Sequence, residues 1–369
     1  MKSRVYKTAL AAWISLATTG IANAQNAAPD AGTNTYAKTV TKTVTYTSNY
    51  TSNKSETDNQ EGDVIKKSKT FTKSYPIDAN DMIQIDNSYG KVDVTTWNKN
   101  EVKVDVTIEA SANDEADAQK ILDQTNINSG KSGNVASFKT EINQGLSWWG
   151  TMTQNGKITK THKVEINYTV YMPAKTALTL TNKYGGINLP DLAGKLNIKS
   201  SYGGLVAKSL TNADNVFVIS YGGANIGSIT GGQIKVSYGS LDLGEADKLD
   251  ATISYSPIKI IKLASSGSID LKYGSLQISD VGKGLKTLNV NSSYSPVKLG
   301  SLGGLNTDFD VTTHYGEFSY NSNVNVTSKS PADNQRGYSS TKNYKGHIGK
   351  GDNDKVITIK SSYGDVKFD

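Results

Sequence analysis

The 369-residue sequence contains no cysteine, so neither disulfides, thiolate metal sites nor a lipidated N-terminal cysteine can exist in it. Stability has to come from packing and hydrogen bonds. Arginine is almost missing too: Arg4 and Arg336 are the whole complement, and every other base is lysine. Without the bidentate guanidinium fork that reads phosphate and guanine, no nucleic-acid partner is expected. The three histidines, His162, His314 and His347, are scattered and lack paired acids at ligand spacing, so no metal site and no cofactor is expected. No stretch reaches the roughly 20 apolar residues of a membrane helix, so no integral membrane segment is expected after signal cleavage.

What is present begins with "MKSRVYKTALAAWISLATTGIANAQ". A basic head (Lys2, Arg4, Lys7), a short apolar run and the small-x-small site Ala22-Asn23-Ala24 predict a secretory signal peptide over residues 1–24. Loss of its three bases takes the formal net charge from +6 to +3. The chain is therefore expected to be exported, to the periplasm or the outer cell surface. Residues 25–62 are rich in Thr, Ser and Asn and predict a polar mobile leader. From residue 63 the apolar alternation becomes regular. "VKVDVTIEA" (102–110) and "KVEINYTVYMP" (163–173) read as strands. Between them, Ser111 and Asp114 resemble a capping box, and Ala118, Ile121 and Leu122 form the apolar stripe of one short helix. These features define an N-terminal β segment, residues 63–176, expected to cap the remainder of the chain.

That remainder, residues 177–369, is periodic. Ten tyrosines precede Gly or Ser-Pro: the pairs Tyr89-Gly90, Tyr184-Gly185, Tyr202-Gly203, Tyr221-Gly222, Tyr238-Gly239, Tyr273-Gly274, Tyr315-Gly316 and Tyr363-Gly364, with Tyr255 and Tyr294 before Ser-Pro. Between Tyr184 and Tyr315 they recur every 17–21 residues. Counted from each tyrosine, positions −4, +3 and +5 are apolar in every copy, as in Ile198, Leu205 and Ala207 around Tyr202. Position +8 is apolar in the copies from Tyr89 to Tyr294. Side chains in a strand alternate between faces, so the odd step from 0 to +3 requires a corner. Glycine after the tyrosine is expected to supply it through a left-handed backbone, with the tyrosine ring turned inward as core. Stacked at the inter-strand spacing of about 4.8 Å, such rungs predict an all-β fold, a β-solenoid of 17–21-residue rungs, interrupted by an inserted polar loop over 321–354.

The stretch "YPIDANDMIQIDNSYGKVDVTTWNKNEVKVDVTIEASANDEADAQKIL" (75–122) and the terminal "SSYGDVKF" resemble the bacterial putative-adhesin family of β-strand-repeat envelope proteins, a domain of unknown function akin to putative autotransporter adhesin head domains. The resemblance implies a solenoid-like β fold, export, and a role in adhesion or envelope-stress signalling. It implies no catalytic residue.

An enzyme would need carboxylates clustered on one outward face. The outward position +4 runs Asp93, Asn188, Val206, Asn225, Asp242, Lys259, Gln277 and onward without an acidic row, so no catalytic residue is expected. The acids Asp242, Glu245, Asp247 and Asp250 read as a solvated connector, and "GDNDK" (351–355) as a turn. Adjacent Trp148 and Trp149, in a predicted loop between strands, are the candidate binding residues, since tryptophan stacks well on sugars and apolar partners. The expected function is that of an exported non-enzymatic adhesin-like or scaffold protein of the cell envelope, whose partner is a surface glycan or an envelope protein. The alternatives are an envelope-stress sensor or regulator and a polysaccharide-active β-helix enzyme.

Overall fold

A computed structural model describes residues 64–143, 150–154, 157–332, 339–352 and 354–369. The expected signal peptide and leader, and the pair Trp148 and Trp149, lie outside the described residues. Among the described residues the fold is all-β with one helix, its strands hydrogen-bonded into a single, nearly closed sheet.

The alternation read from the sequence produces two long parallel ladders. In the first, the strand leading into each tyrosine pairs with its counterpart in the next repeat. Leu196–Ser201 lies between Ala177–Lys183 and Val216–Ser220, with Ile198 opposite Leu180 and Phe217. In the second, the strand leaving each tyrosine does the same: Leu205–Leu210 lies between Ile187–Leu189 and Gly223–Ile229. Positions −4 and +3 are buried in all ten copies, and +5 in all but the Tyr315 copy, where Tyr320 is exposed. Position −2 also faces inward. It is apolar in the central copies (Ile219, Val236, Ile253, Leu271) and polar toward both ends (Asn87, Asn182, Ser200; Ser292, Thr313, Ser361). Several of these polar groups are satisfied at the tyrosine turn: the hydroxyls of Ser200 and Ser361 donate to the carbonyls of Gly203 and Gly364 at 3.1 and 2.7 Å.

The repeats do not stack in chain order at the C-terminal end. Val356–Ser362 pairs in parallel with both Thr287–Ser293 and Thr307–His314. Val366–Phe368 likewise joins Val297–Ser301 to Phe318–Tyr320. The last repeat is thus wedged between the two before it, and the Tyr315 copy is the outer one. Residues 321–354, expected as a polar loop, contain two strands instead. Thr341–Ile348 runs antiparallel to Thr307–His314 on one side and to Val324–Ser330 on the other, so the outer repeat keeps a hydrogen-bonded neighbour.

At the N-terminal end, Ile65–Pro76, Glu101–Ala112 and Lys157–Met172 form an antiparallel set. Lys157–Met172 then pairs in parallel with Val92–Thr96, joining the second ladder. The helix spans Glu115–Gln124 and buries Ala118, Ile121 and Leu122. Its N-cap is Asp114, whose carboxylate accepts from the Asp117 amide. Ser111 lies inside the preceding strand, so the expected capping box is replaced by a single Asp cap.

Asp81 is a buried acid at the start of this region, 7% exposed. Lys131 donates to it at 2.6 Å and the Asp78 amide at 2.9 Å, and these bonds hold its carboxyl below the usual carboxylate range. A depressed folded-state pKa stabilises the fold above the unfolded value of about 3.9, and the contribution is lost as the pH falls through the folded value. Asp81→Asn is therefore expected to flatten the acid limb of a melting-temperature profile recorded from about pH 6 downward. A variant limb as steep as that of wild type would contradict the role given to this pair.

Candidate functional site

The repeating tyrosines do not face the core. Tyr89 is 37% exposed and the other nine are 47–52% exposed, which corrects the expectation of inward rings. The reason lies in the backbone. All ten tyrosines have φ between +49° and +63°, the left-handed region, and none of the glycines that follow them does. A left-handed residue breaks strand alternation at the tyrosine itself, so a side chain that parity would send inward points out. The glycines are needed for another reason. A Cβ on Gly203, Gly222 or Gly239 would run into the backbone carbonyl of the glycine in the neighbouring repeat. Where serine stands there instead, its side chain is buried and bridges repeats: the hydroxyls of Ser256 and Ser295 accept from the Gly239 and Gly274 amides at 2.9 and 2.8 Å.

Nine of the ten tyrosine backbones are held by the adjacent repeat, as where the Tyr202 amide donates to the Ser220 carbonyl at 3.0 Å, and the Tyr315 amide donates instead to the Ser340 carbonyl at 2.8 Å. The rings consequently form one continuous ladder. In spatial order it runs Tyr89, Tyr184, Tyr202, Tyr221, Tyr238, Tyr255, Tyr273, Tyr294, Tyr363, Tyr315, with centroids 4.7–5.1 Å apart and planes within 16° of parallel. Each interior ring has both faces covered by neighbours and presents its edge. Small residues flank most of the strip: at position +2 stand Gly186, Gly204, Gly223, Ser240, Pro257, Ser275 and Pro296. Charge at that position occurs only at the ends, with Lys91 beside Tyr89, and Asp365 and Glu317 beside Tyr363 and Tyr315.

Stability alone does not select tyrosine at these turns. A left-handed non-glycine residue costs about 1–2 kcal/mol, and an aromatic stack returns about 0.5–1.5 kcal/mol, so the two roughly cancel. Asparagine would hold the same backbone angles with less strain. Repeated strain at exposed residues, together with a contiguous aromatic strip in contact with water, makes the ladder the candidate interaction surface.

At the Tyr89 end a cleft of about 460 Å³ is lined by Tyr89, Tyr184, Lys91, His162, Glu165 and Asn167 among others. Glu165 accepts from the Asn167 amide at 2.9 Å and pairs with Lys163, and both hold its pKa below the ordinary value. An acid kept ionised in this way is not poised to donate a proton. His162 is engaged with Asp117 at 2.9 Å. A second, more polar groove of about 730 Å³ runs past Asp214, Asn215, Gln233 and Asp250. Among the described residues no group of three or more His, Asp or Glu is placed to hold a metal ion, and no helix is long and apolar enough to cross a membrane.

Sequence reasoning found the ten tyrosines by their spacing and assigned them to the wrong face. The signal that they are exposed is the company they keep, serine before seven of them and glycine after eight, where a covered ring would meet bulk.

No protein-family description matches the chain, and no curated protein matches it. Solved structures similar to it include a putative adhesin from Parabacteroides merdae ATCC 43184 (9% identity, covering 81% of this chain and 96% of that one, TM-score 0.35). A putative adhesin from Parabacteroides distasonis ATCC 8503 is 13% identical and covers 81% and 97% of the two chains, at a TM-score of 0.28. A putative lipid binding protein from the same strain is 10% identical and covers 81% and 96%, at 0.27. Likeness at this level says nothing of ligand or activity.

Proposed function

We propose that this chain is an exported, non-enzymatic, adhesin-like or scaffold protein of the cell envelope, built as a β-solenoid of 17–21-residue rungs. In this reading residues 63–176 cap one end of the stack, the strands within 321–354 cover the other, and the tyrosine turns are its corners. The ladder of tyrosine edges is the surface that holds the partner. One observation carries the proposal: ten half-exposed aromatic rings occupy strained backbone positions that a smaller residue would fill at lower cost. A row of edges with hydroxyls suits an extended partner, a glycan strand or an envelope protein, better than a small molecule enclosed in a pocket.

The test is adhesion. Beads coated with the full chain, or with a variant carrying Tyr202→Asn, Tyr238→Asn and Tyr273→Asn, are offered surfaces bearing glycan arrays or purified envelope proteins. Asparagine tolerates the left-handed turn, so the variant should fold. Retention on at least one surface by wild type, with a loss of tenfold or more in the variant, is the expected result. Equal retention of both proteins would overturn the assignment of the ladder.

A further inference from the structure

We infer that the ladder's partner is a second copy of this chain, packed ladder to ladder and antiparallel about a two-fold axis. The inference rests on the ladder being the contact surface and names what it contacts.

Three observations carry it. The first is the repeat. A surface with a period of 4.7–5.1 Å is matched along its whole length only by another surface of the same period, and stacked β-strands have that spacing by construction. The second is area. A tyrosine covers roughly 150–250 Å² when buried, so ten rings about half exposed offer roughly 750–1,250 Å². A standard specific interface takes about 800 Å² per partner. The flanking glycines and serines let the two strips approach closely, and tyrosine, with an apolar body and a polar tip, is a residue type enriched at such contacts.

The third observation selects the orientation. A two-fold axis perpendicular to the strip runs the two ladders in opposite directions and sets like flanks side by side, so the residue at position +2 of one copy faces position +2 of the other. In register, the Tyr89 repeat of one copy faces the Tyr315 repeat of the other, and the Tyr184 repeat faces that of Tyr363. Lys91, its side chain 57% exposed and paired within the chain with Asp93, then faces Glu317, 70% exposed and paired with Lys342, so that the two intrachain pairs meet as one four-charge cluster. Both ends of the strip carry matched opposite charges, while the middle at position +2 carries none. Parallel packing would instead bring the two Lys91 side chains to the same level at one end and the two Glu317 side chains to the same level at the other, gathering like charges with no opposite charge across the interface.

Sedimentation velocity on the full chain at low salt reads the proposal directly. Wild type is expected to sediment as a concentration-dependent dimer. The triple Tyr→Asn variant should be a monomer with an unchanged circular dichroism spectrum. Lys91→Glu alone and Glu317→Lys alone should each weaken the dimer by about tenfold, and the double variant should restore it, because each reversed charge again faces its opposite across the axis. A wild-type monomer at tens of micromolar would overturn the inference, as would a dimer that survives the triple Tyr→Asn change. A dimer indifferent to the single reversals would overturn the antiparallel register. If wild type stays monomeric yet the ladder variant loses adhesion to a glycan or protein surface, the ladder remains the contact site and only the second copy as partner is rejected.

Discussion

Alanine in place of Gly239 should lower the stability of the fold by about 3 kcal/mol or more. The added methyl would have to occupy the position of the Gly222 carbonyl in the neighbouring repeat, and that obstacle is backbone, which cannot rotate away. The same collision recurs at Gly203 against Gly185 and at Gly222 against Gly203, so relief at one level displaces the next. For a chain of this size the corresponding drop in melting temperature is roughly 5–10 °C by scanning fluorimetry. Gly130 provides the control. It lies in the strand Thr125–Ser132, and nothing stands within 4 Å of where its Cβ would be. Gly130→Ala should be neutral or raise stability by about 0.4–1 kcal/mol through the unfolded chain. If the two variants melt together, close approach of the stacked turns is not what demands glycine.

Removing residues 356–369 should have a still larger effect. The lost segment buries Ile357, Ile359, Val366 and Phe368, each at most 1% exposed. At about 1.5–3 kcal/mol for each buried side chain, the loss is on the order of 6–12 kcal/mol as an upper estimate, comparable with the entire margin of a typical domain. Trimming a terminus usually frays one edge, but here the segment is hydrogen-bonded on both sides. Its deletion strips Thr287–Ser293 and Thr307–His314 of a shared neighbour. A chain ending at Lys355 is expected to aggregate and to show no cooperative melt. A soluble product melting within a few degrees of wild type would mean that the flanking strands close up on each other and that the wedge is dispensable.

Much of the core was legible because burial in stacked strands is a local, periodic property. Ile198, Leu205 and Ala207 each announce an inward position by recurring at the same distance from a tyrosine. The helix over Glu115–Gln124 showed itself through the spacing of Ala118, Ile121 and Leu122. The orientation of the tyrosines was not legible, because alternation carries from −4 through −2 to 0 only while the backbone stays extended. Nothing within one repeat says that it ceases to be so at the tyrosine. Glycine after eight of the ten rings invited the reading of a left-handed hinge, whereas its actual requirement in the central repeats is a carbonyl about one repeat away in sequence. The position of the last repeat was hidden for a related reason. Spacing reports that Tyr315 and Tyr363 belong to equivalent turns, but not which ring each one touches. One clue was available: Tyr320 takes position +5 where the other copies have Val, Leu, Ala, Ile or Phe, and it is the copy at the open end.

The wedged final repeat also imposes a schedule. A polypeptide is made from its N-terminus, and successive repeats can add to the growing stack as they emerge. The segment ending at Tyr320 cannot take its native neighbour at that stage, since the strands that separate it from Thr287–Ser293 are synthesised after it. Native closure of this end therefore waits for residues 356–368. A product that stops before Val356 carries an unfilled slot between Thr287–Ser293 and Thr307–His314, which makes synthesis of that late segment a condition of maturity.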